Sequence, residues 1–459
     1  MKKFLAAVMI FIILISNGIA YGSNSPKIEI ELDGVQADFE NYPVLKEGRV
    51  LVPVRSIFSR LNAEMNWKEE SREAILIKDG TEIVLGIDKK QAKINGVDFN
   101  LDVPAQIFDG YTYVPLRFIT QAFGYEVEWD QENYLVSIVT KSIARPEVEI
   151  YGYYGFGSYN SLLSNPEKLS KIAPMWFVLD GDGSIKTNYP QDYQDALAFC
   201  RKNGIKIDAV LFQNNSSQLE QLLSSPDKWD KVCAELSAIM DKDDFDGVNL
   251  DLEGIPNAQR ENFLNFVAYL RQFVKGKGKS FSLSLPPKTS DSQSWYVAYD
   301  YNSLKNYGDY FIVMAYDQHY AGGQPGPIAG VRWVEQVVKY GAEKLGANRL
   351  ILACGLYGYD WPEGQKAKVI DYVGVQQLVN KYAVSPSWSQ ENYSPYLVYT
   401  DEQGIKHSVW FENEKSIGAK LVLVDKYELK GVALWRLGLI AEPVWKSITT
   451  KFTPRKTNF

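Results

Sequence analysis

The chain has 459 residues, more than one ordinary core needs and enough for two domains. Apolar residues make up 46% and charged residues 23%, a balance typical of soluble globular protein, and the net charge of −7 argues against a nucleic-acid binder. Only two His (His319, His407) and three Cys (Cys200, Cys233, Cys354) are present, which argues against a multi-His metal centre, a Ser-His-Asp triad and a disulfide framework.

Lys2 and Lys3 precede an apolar run from Phe4 to Ile15, with small residues around Ala20 and Gly22. This is the pattern of a secretion signal, assigned to residues 1–23. The run is too short to span a bilayer comfortably. The chain is therefore expected to be secreted or associated with the cell surface or wall. Its three Cys are expected to be buried free thiols.

Residues 27–140 read as a domain built from two repeats. Val52-Pro53-Val54-Arg55 returns as Val114-Pro115-Leu116-Arg117, and Trp67 returns as Trp129 at the same offset. In each unit a short strand enters the Val-Pro step. A helix follows, expected over Ser56–Leu61 and Phe118–Phe123, and then strands around the Trp. Asn95-Gly96 reads as a hairpin turn. The paired motif resembles the copper amine oxidase N-terminal-like domain, a stalk module of exported bacterial proteins. The segment holds no His, so no copper site of the usual kind can form there. The resemblance implies an adhesive or spacer module, with wall attachment as its expected role. The plainer alternative is that Arg55 and Arg117 anchor local carboxylates. Lys141–Pro146, without periodicity, reads as a linker.

From 146 to 455 strand-like runs alternate with helical patterns. The strands expected are Val148–Tyr154, Pro174–Leu179, Ile207–Phe212, Gly247–Leu252, Ser280–Leu285, Tyr310–Ala315, Leu350–Gly355 and Gly431–Leu434. The intervening helices include Asp192–Asn203, Asp227–Met240, Ala258–Lys275 and Val331–Lys344. Eight such units predict an α/β fold, a (β/α)8 barrel. The interval 360–430 reads as a small inserted α+β subdomain.

Within the fourth strand, Val248, Leu250 and Leu252 alternate with Asn249, Asp251 and Glu253. Alternate residues share one face, so three polar groups point the same way, about 6–7 Å apart per step. In a barrel strand that direction is inward, where two acids raise one another's pKa and yield a proton donor near neutral pH. Glu253 stands at the carboxyl end, where barrel active sites form. Periodicity alone leaves a solvated edge strand equally open.

Asp246 to Glu253 is similar to the DGxDxDxE signature of family 18 glycoside hydrolases, the chitinase family. Asn249 departs from the Asp of many members, as in the branch of cell-wall and spore-cortex N-acetylglucosaminidases, and that puts the protonation of Asp251 in question. Met314-Ala315-Tyr316-Asp317 resembles the family's MxYD motif, and Trp435 stands where the family has a Trp floor. Gly152-Tyr153-Tyr154 with Ser158-Tyr159-Asn160-Ser161-Leu162, and Pro286 to Asp291, fit the cortex-lytic branch. The resemblance implies cleavage of N-acetylglucosamine polymers (peptidoglycan, spore cortex or chitin), with retention and assistance from the substrate's own acetamido group. It implies catalytic roles for Glu253 as acid and base, Asp251 on the acetamido N–H, and Tyr316 on its carbonyl. It assigns Trp435, Asn249, Asp317, Tyr153 and Met314 to substrate binding or to its support. No metal or organic cofactor and no nucleic acid are called for, and the chain is expected to be a monomer. A catalytically inactive, lectin-like wall protein on the same barrel is the alternative reading.

Overall fold

The computed structural model describes residues 27–37, 41–140 and 145–456. The expected signal over 1–23, and most of the expected linker, lie outside the described residues. Among its described residues the N-terminal domain has three largely antiparallel sheets and two short helices. Strands Arg49–Pro53 and Tyr111–Pro115 pair with each other, Val114 opposite Val52. Helices Val54–Arg60 and Leu116–Ala122 follow at once, two residues earlier than expected. Pro53 and Pro115 are the reason. Each holds φ near −60° with extended ψ and lacks the N–H a ladder needs, so each closes its strand and opens a helix. The strands bearing Trp67 and Trp129 enter different sheets.

The Asn95-Gly96 turn forms as expected, with both residues at positive φ (47° and 80°). It also docks this domain on the rest of the chain. A Cβ on Gly96 would come within 2.4 Å of the Tyr393 ring, and the Tyr393 hydroxyl donates to Glu82 Oε1 at 2.9 Å. Nearby, Lys426 Nζ donates to the Asp98 carbonyl at 2.6 Å and pairs with Glu335.

The second domain is a closed barrel of eight parallel strands. They are β1 (Glu147–Tyr154), β2 (Lys171–Pro174), β3 (Lys206–Gln213), β4 (Gly247–Leu252), β5 (Ser280–Leu285), β6 (Tyr310–Met314), β7 (Leu350–Gly355) and β8 (Gly431–Trp435). Each pairs with its neighbours, and β8 pairs with β1 to close the ring. Tyr151, Val210, Ile312, Ile351 and Ala433 fill the interior, while outward residues such as Val248, Leu250 and Leu252 pack in the larger core between barrel and helices. All three cysteines are free and buried.

β1, β3, β6 and β8 differ from expectation by a residue at one or both ends, and two segments differ more. β2 covers Lys171–Pro174, and Phe177–Leu179 is a separate strand that pairs with β3 and with Ile185–Thr187. Pro174 ends a ladder rather than beginning one. Lys171 hides the true strand, since a Lys seldom sits inside a barrel. Here its Nζ lies 2.9 Å from Asp208 Oδ2 and 2.8 Å from the Tyr310 hydroxyl, with both charged side chains buried. Lys171→Ala leaves Asp208 buried and unpaired, so stability should fall by about 3–5 kcal/mol. A urea midpoint close to that of the parent protein would overturn this reading.

The inserted subdomain, expected over 360–430, is a five-stranded antiparallel sheet within 358–410 that carries helix Tyr372–Tyr382. The remainder, Glu414–Lys426, is a barrel helix packed on β7, β8, helix Val331–Leu345 and the last helix, Glu442–Lys451. Its Leu421-Val422-Leu423-Val424 run is buried all round, so it shows no single apolar stripe.

Candidate active site

The carboxyl ends of the strands open into a cleft of about 750 Å³ whose lining includes Glu253, Met314, Tyr316, Asp317 and Trp435. Residues distant in sequence thus become spatial neighbours because they close three barrel strands, β4, β6 and β8. All six residues of β4 are buried, which discards the solvated-edge alternative. Asn249 and Asp251 are inward and almost wholly covered (0% and 2% exposed).

The rest of the signature is structural. Asp246 grips β3 from below: its Oδ2 accepts from the Ile207 N–H at 2.8 Å. Gly247 admits the close approach of Ser280 and Asp208, which a Cβ would strike at 2.0 and 2.5 Å. Glu253 leaves the strand with its backbone N–H on the Gln213 carbonyl at 2.8 Å. Tyr299 then clamps the turn from both sides. Its hydroxyl donates to the Leu252 carbonyl at 2.7 Å and accepts from the Ile255 N–H at 3.2 Å. Gly254 supplies the positive φ (73°) between them.

The electrostatics follow from burial. Burial pushes the Glu253 carboxyl above the ordinary Glu value, and the charge of Asp317 adds to the effect. Burial, then the charge of Glu253, holds Asp251 well above the ordinary Asp value, with a Ser284 hydrogen bond opposing. Asp251 Oδ1 is buried without a hydrogen-bond partner. The Tyr316 hydroxyl is pushed well up by burial and by nearby Tyr153 and Asp251, so it stays a protonated donor. Asp317, at φ 57°, accepts on Oδ1 from the Tyr357 and Tyr359 hydroxyls at 2.5 and 3.0 Å.

Two residues assigned to substrate binding lie beneath the cleft rather than on its wall. Asn249 Nδ2 donates to Ser282 Oγ at 3.1 Å, and its Oδ1 accepts from Ser284 Oγ at 2.9 Å. Tyr153, 1% exposed, shares a 2.8 Å hydrogen bond with Ser284 and packs edge-on against Trp435. An Asn fits this place because it donates on one side and accepts on the other, which an ionised Asp cannot do.

Reading the sequence passed over Tyr296, Tyr299, Tyr357, Tyr359 and Arg436, which also line the cleft. Tyr357 and Tyr359 follow β7 directly, and that position was the one signal available.

Residues 149–439 match the glycosyl hydrolases family 18, and residues 31–138 match the copper amine oxidase N-terminal domain. The chain is 28% identical to the uncharacterized glycosylase YvbX of Bacillus subtilis (strain 168), over 63% of this chain and 87% of that protein. It is 30% identical to the cortical fragment-lytic enzyme of the same strain over 47% of this chain, and spans about half (52%) of that relative's length. The crystal structure of the putative sporulation-specific glycosylase YdhD from Bacillus subtilis superposes with a TM-score of 0.55 at 26% identity, covering 58% of this chain and 91% of that one. The Bacillus cereus spore cortex-lytic enzyme SleL shares the fold, with a TM-score of 0.64 at 23% identity over 69% and 76% of the two chains. The family match spans the barrel strands whose ends carry Glu253, Tyr316 and Trp435, so this chain belongs to the glycosyl hydrolases family 18 and is a glycoside hydrolase.

Proposed function

We propose that this protein is exported and cleaves β-linked N-acetylglucosamine polymers, with peptidoglycan or spore cortex ahead of chitin, by a retaining, substrate-assisted mechanism. One observation carries the reading: a buried, unpartnered Asp251 oxygen in the strand that leads into Glu253. A buried acceptor left without a donor calls for one from a ligand, and an acetamido N–H supplies it. Glu253 protonates the glycosidic oxygen and later activates water. Asp251 holds the acetamido N–H and offsets the charge of the oxazolinium intermediate. Tyr316, as a neutral donor, binds the acetamido oxygen and aims it at the anomeric carbon. Trp435 stacks on the sugar's apolar face. Asn249 and Tyr153 support this set from below through Ser284, and Asp317 borders Glu253.

The relatives favour wall glycan: one is a cortical fragment-lytic enzyme and another the putative sporulation-specific glycosylase YdhD, both of Bacillus subtilis (strain 168). The N-terminal domain fits attachment to the same wall. It has a cavity of about 310 Å³ whose lining includes Arg49, Asp102, Arg117, Phe118 and Trp129.

The test is digestion of purified peptidoglycan, chitin and cellulose side by side, with product masses. Reducing ends from an N-acetylated polymer are expected, and cellulose should stay intact. Efficient cellulose hydrolysis would defeat the substrate-assisted mechanism. Sugar binding without any release of reducing ends would favour the lectin alternative.

A further inference from the structure

Arg436 follows Trp435 at the end of β8 and lines the cleft, where the other charged lining residues are Glu253, Asp317 and Asp371. It is thus the one cation among the described lining residues. Its place on the wall is built. One guanidinium N–H group donates to the Phe156 carbonyl, and its stem runs over Gly155, where a Cβ would meet Arg436 Cδ at 2.9 Å. The guanidinium has no carboxylate partner among the described residues. Asp317 is taken up by two tyrosine hydroxyls, and Asp371 caps helix Tyr372–Tyr382 through the Gly374 N–H at 2.7 Å. Arg436 is itself half-buried. Holding a guanidinium there without a counter-charge costs desolvation free energy, which an anion on the ligand would offset.

A polymer of N-acetylglucosamine alone is neutral and has no such anion. A glycan in which every second sugar bears a 3-O-lactyl group does wherever that carboxyl carries no peptide. We infer that Arg436 reads the free carboxylate of a 3-O-lactyl sugar bound beside the N-acetylglucosamine on Trp435, and so selects peptide-free muramic-acid glycan over chitin. The fork geometry of a guanidinium suits a carboxylate, and the N–H groups not engaged by Phe156 remain to bind it. This rests on the reading of the cleft as an N-acetylglucosaminidase site.

The test uses the full-length protein and two soluble tetrasaccharides: chitotetraose, and a peptide-free chain alternating N-acetylglucosamine with N-acetylmuramic acid. The parent protein should prefer the second in kcat/KM, and the preference should shrink with added salt. Methyl esterification of the lactyl carboxyl should reduce that preference by about tenfold or more, the usual worth of a charged hydrogen bond. Arg436→Gln keeps a donor for the Phe156 carbonyl but removes the charge. It should lower the ratio of the two kcat/KM values by about tenfold, and Arg436→Lys should restore part of it. An unchanged ratio in Arg436→Gln, or indifference of the parent protein to esterification, overturns the proposal and reduces Arg436 to a tether for the Phe156 loop. Cleavage of chitotetraose with none of the muramyl chain overturns it too, while leaving the acetamido chemistry standing. Cleavage of neither substrate sinks the underlying glycosidase reading, and the proposal with it.

Discussion

Glu253→Gln is expected to lower turnover about 10³-fold or more while the protein still folds and still binds sugar. The loss follows from removing both the proton donor of the first step and the base of the second, each worth roughly 10²–10⁴-fold. The amide keeps the volume and the turn held by Tyr299, whose bonds are to the Leu252 and Ile255 backbone. The measurement is kcat on an N-acetylated oligosaccharide beside binding of the same sugar by calorimetry. Near-normal turnover would remove Glu253 from the mechanism, and lost binding with a lowered Tm would mean that the variant reports on folding. In the parent protein the pH dependence has a definite sign. Burial and the charge of Asp317 raise the Glu253 pKa, so the acid keeps its proton to higher pH than an ordinary Glu. Activity should therefore fall on the alkaline side, with its midpoint above the usual carboxylate range.

Asp251→Asn should cost about 10²–10³-fold in kcat, the scale for removing one group that stabilises developing charge. It should also make the protein more stable at neutral pH. The folded state holds Asp251 well above the ordinary Asp value, through burial first and the Glu253 charge second. Folded protein therefore retains a proton that the unfolded chain gives up at the ordinary value. The stabilising contribution is complete below the unfolded pKa and is lost as pH rises through the raised one. An amide removes that dependence. The variant's Tm should exceed the parent's at pH 8, and the gap should close as the pH falls toward the ordinary carboxylate range. A Tm below the parent's at pH 8 would show that Asp251 is satisfied in the folded state, against its unpartnered oxygen. Opposite signs on rate and stability mark a residue kept for chemistry rather than for packing.

The comparison of sequence and structure divides along one physical line. Strands β4, β5 and β7 have the expected bounds because apolar runs and turn signals bracket them, and both effects are local. The Asn95-Gly96 turn was legible for the same reason. Where a tertiary partner changes a residue's meaning, local reading failed. Lys171 falls outside the expected second strand and enters the barrel because Asp208 and Tyr310 are set against it. The 421–424 run, expected within the insertion, belongs to a barrel helix and has no single apolar stripe because it is covered on every side.

The site divides in the same way. By itself the sequence determined that Asn249, Asp251 and Glu253 share a face, since a strand repeats every two residues. It determined too that no cluster of His could hold a metal, since only His319 and His407 exist. The direction in which that face points came from the assembled barrel. Closing eight strands into a ring turned it inward, and brought Tyr316, Trp435, Tyr357, Tyr359 and Arg436 to one cleft from distant parts of the chain. Proximity across a barrel is set by strand order and closure, and those depend on every strand at once.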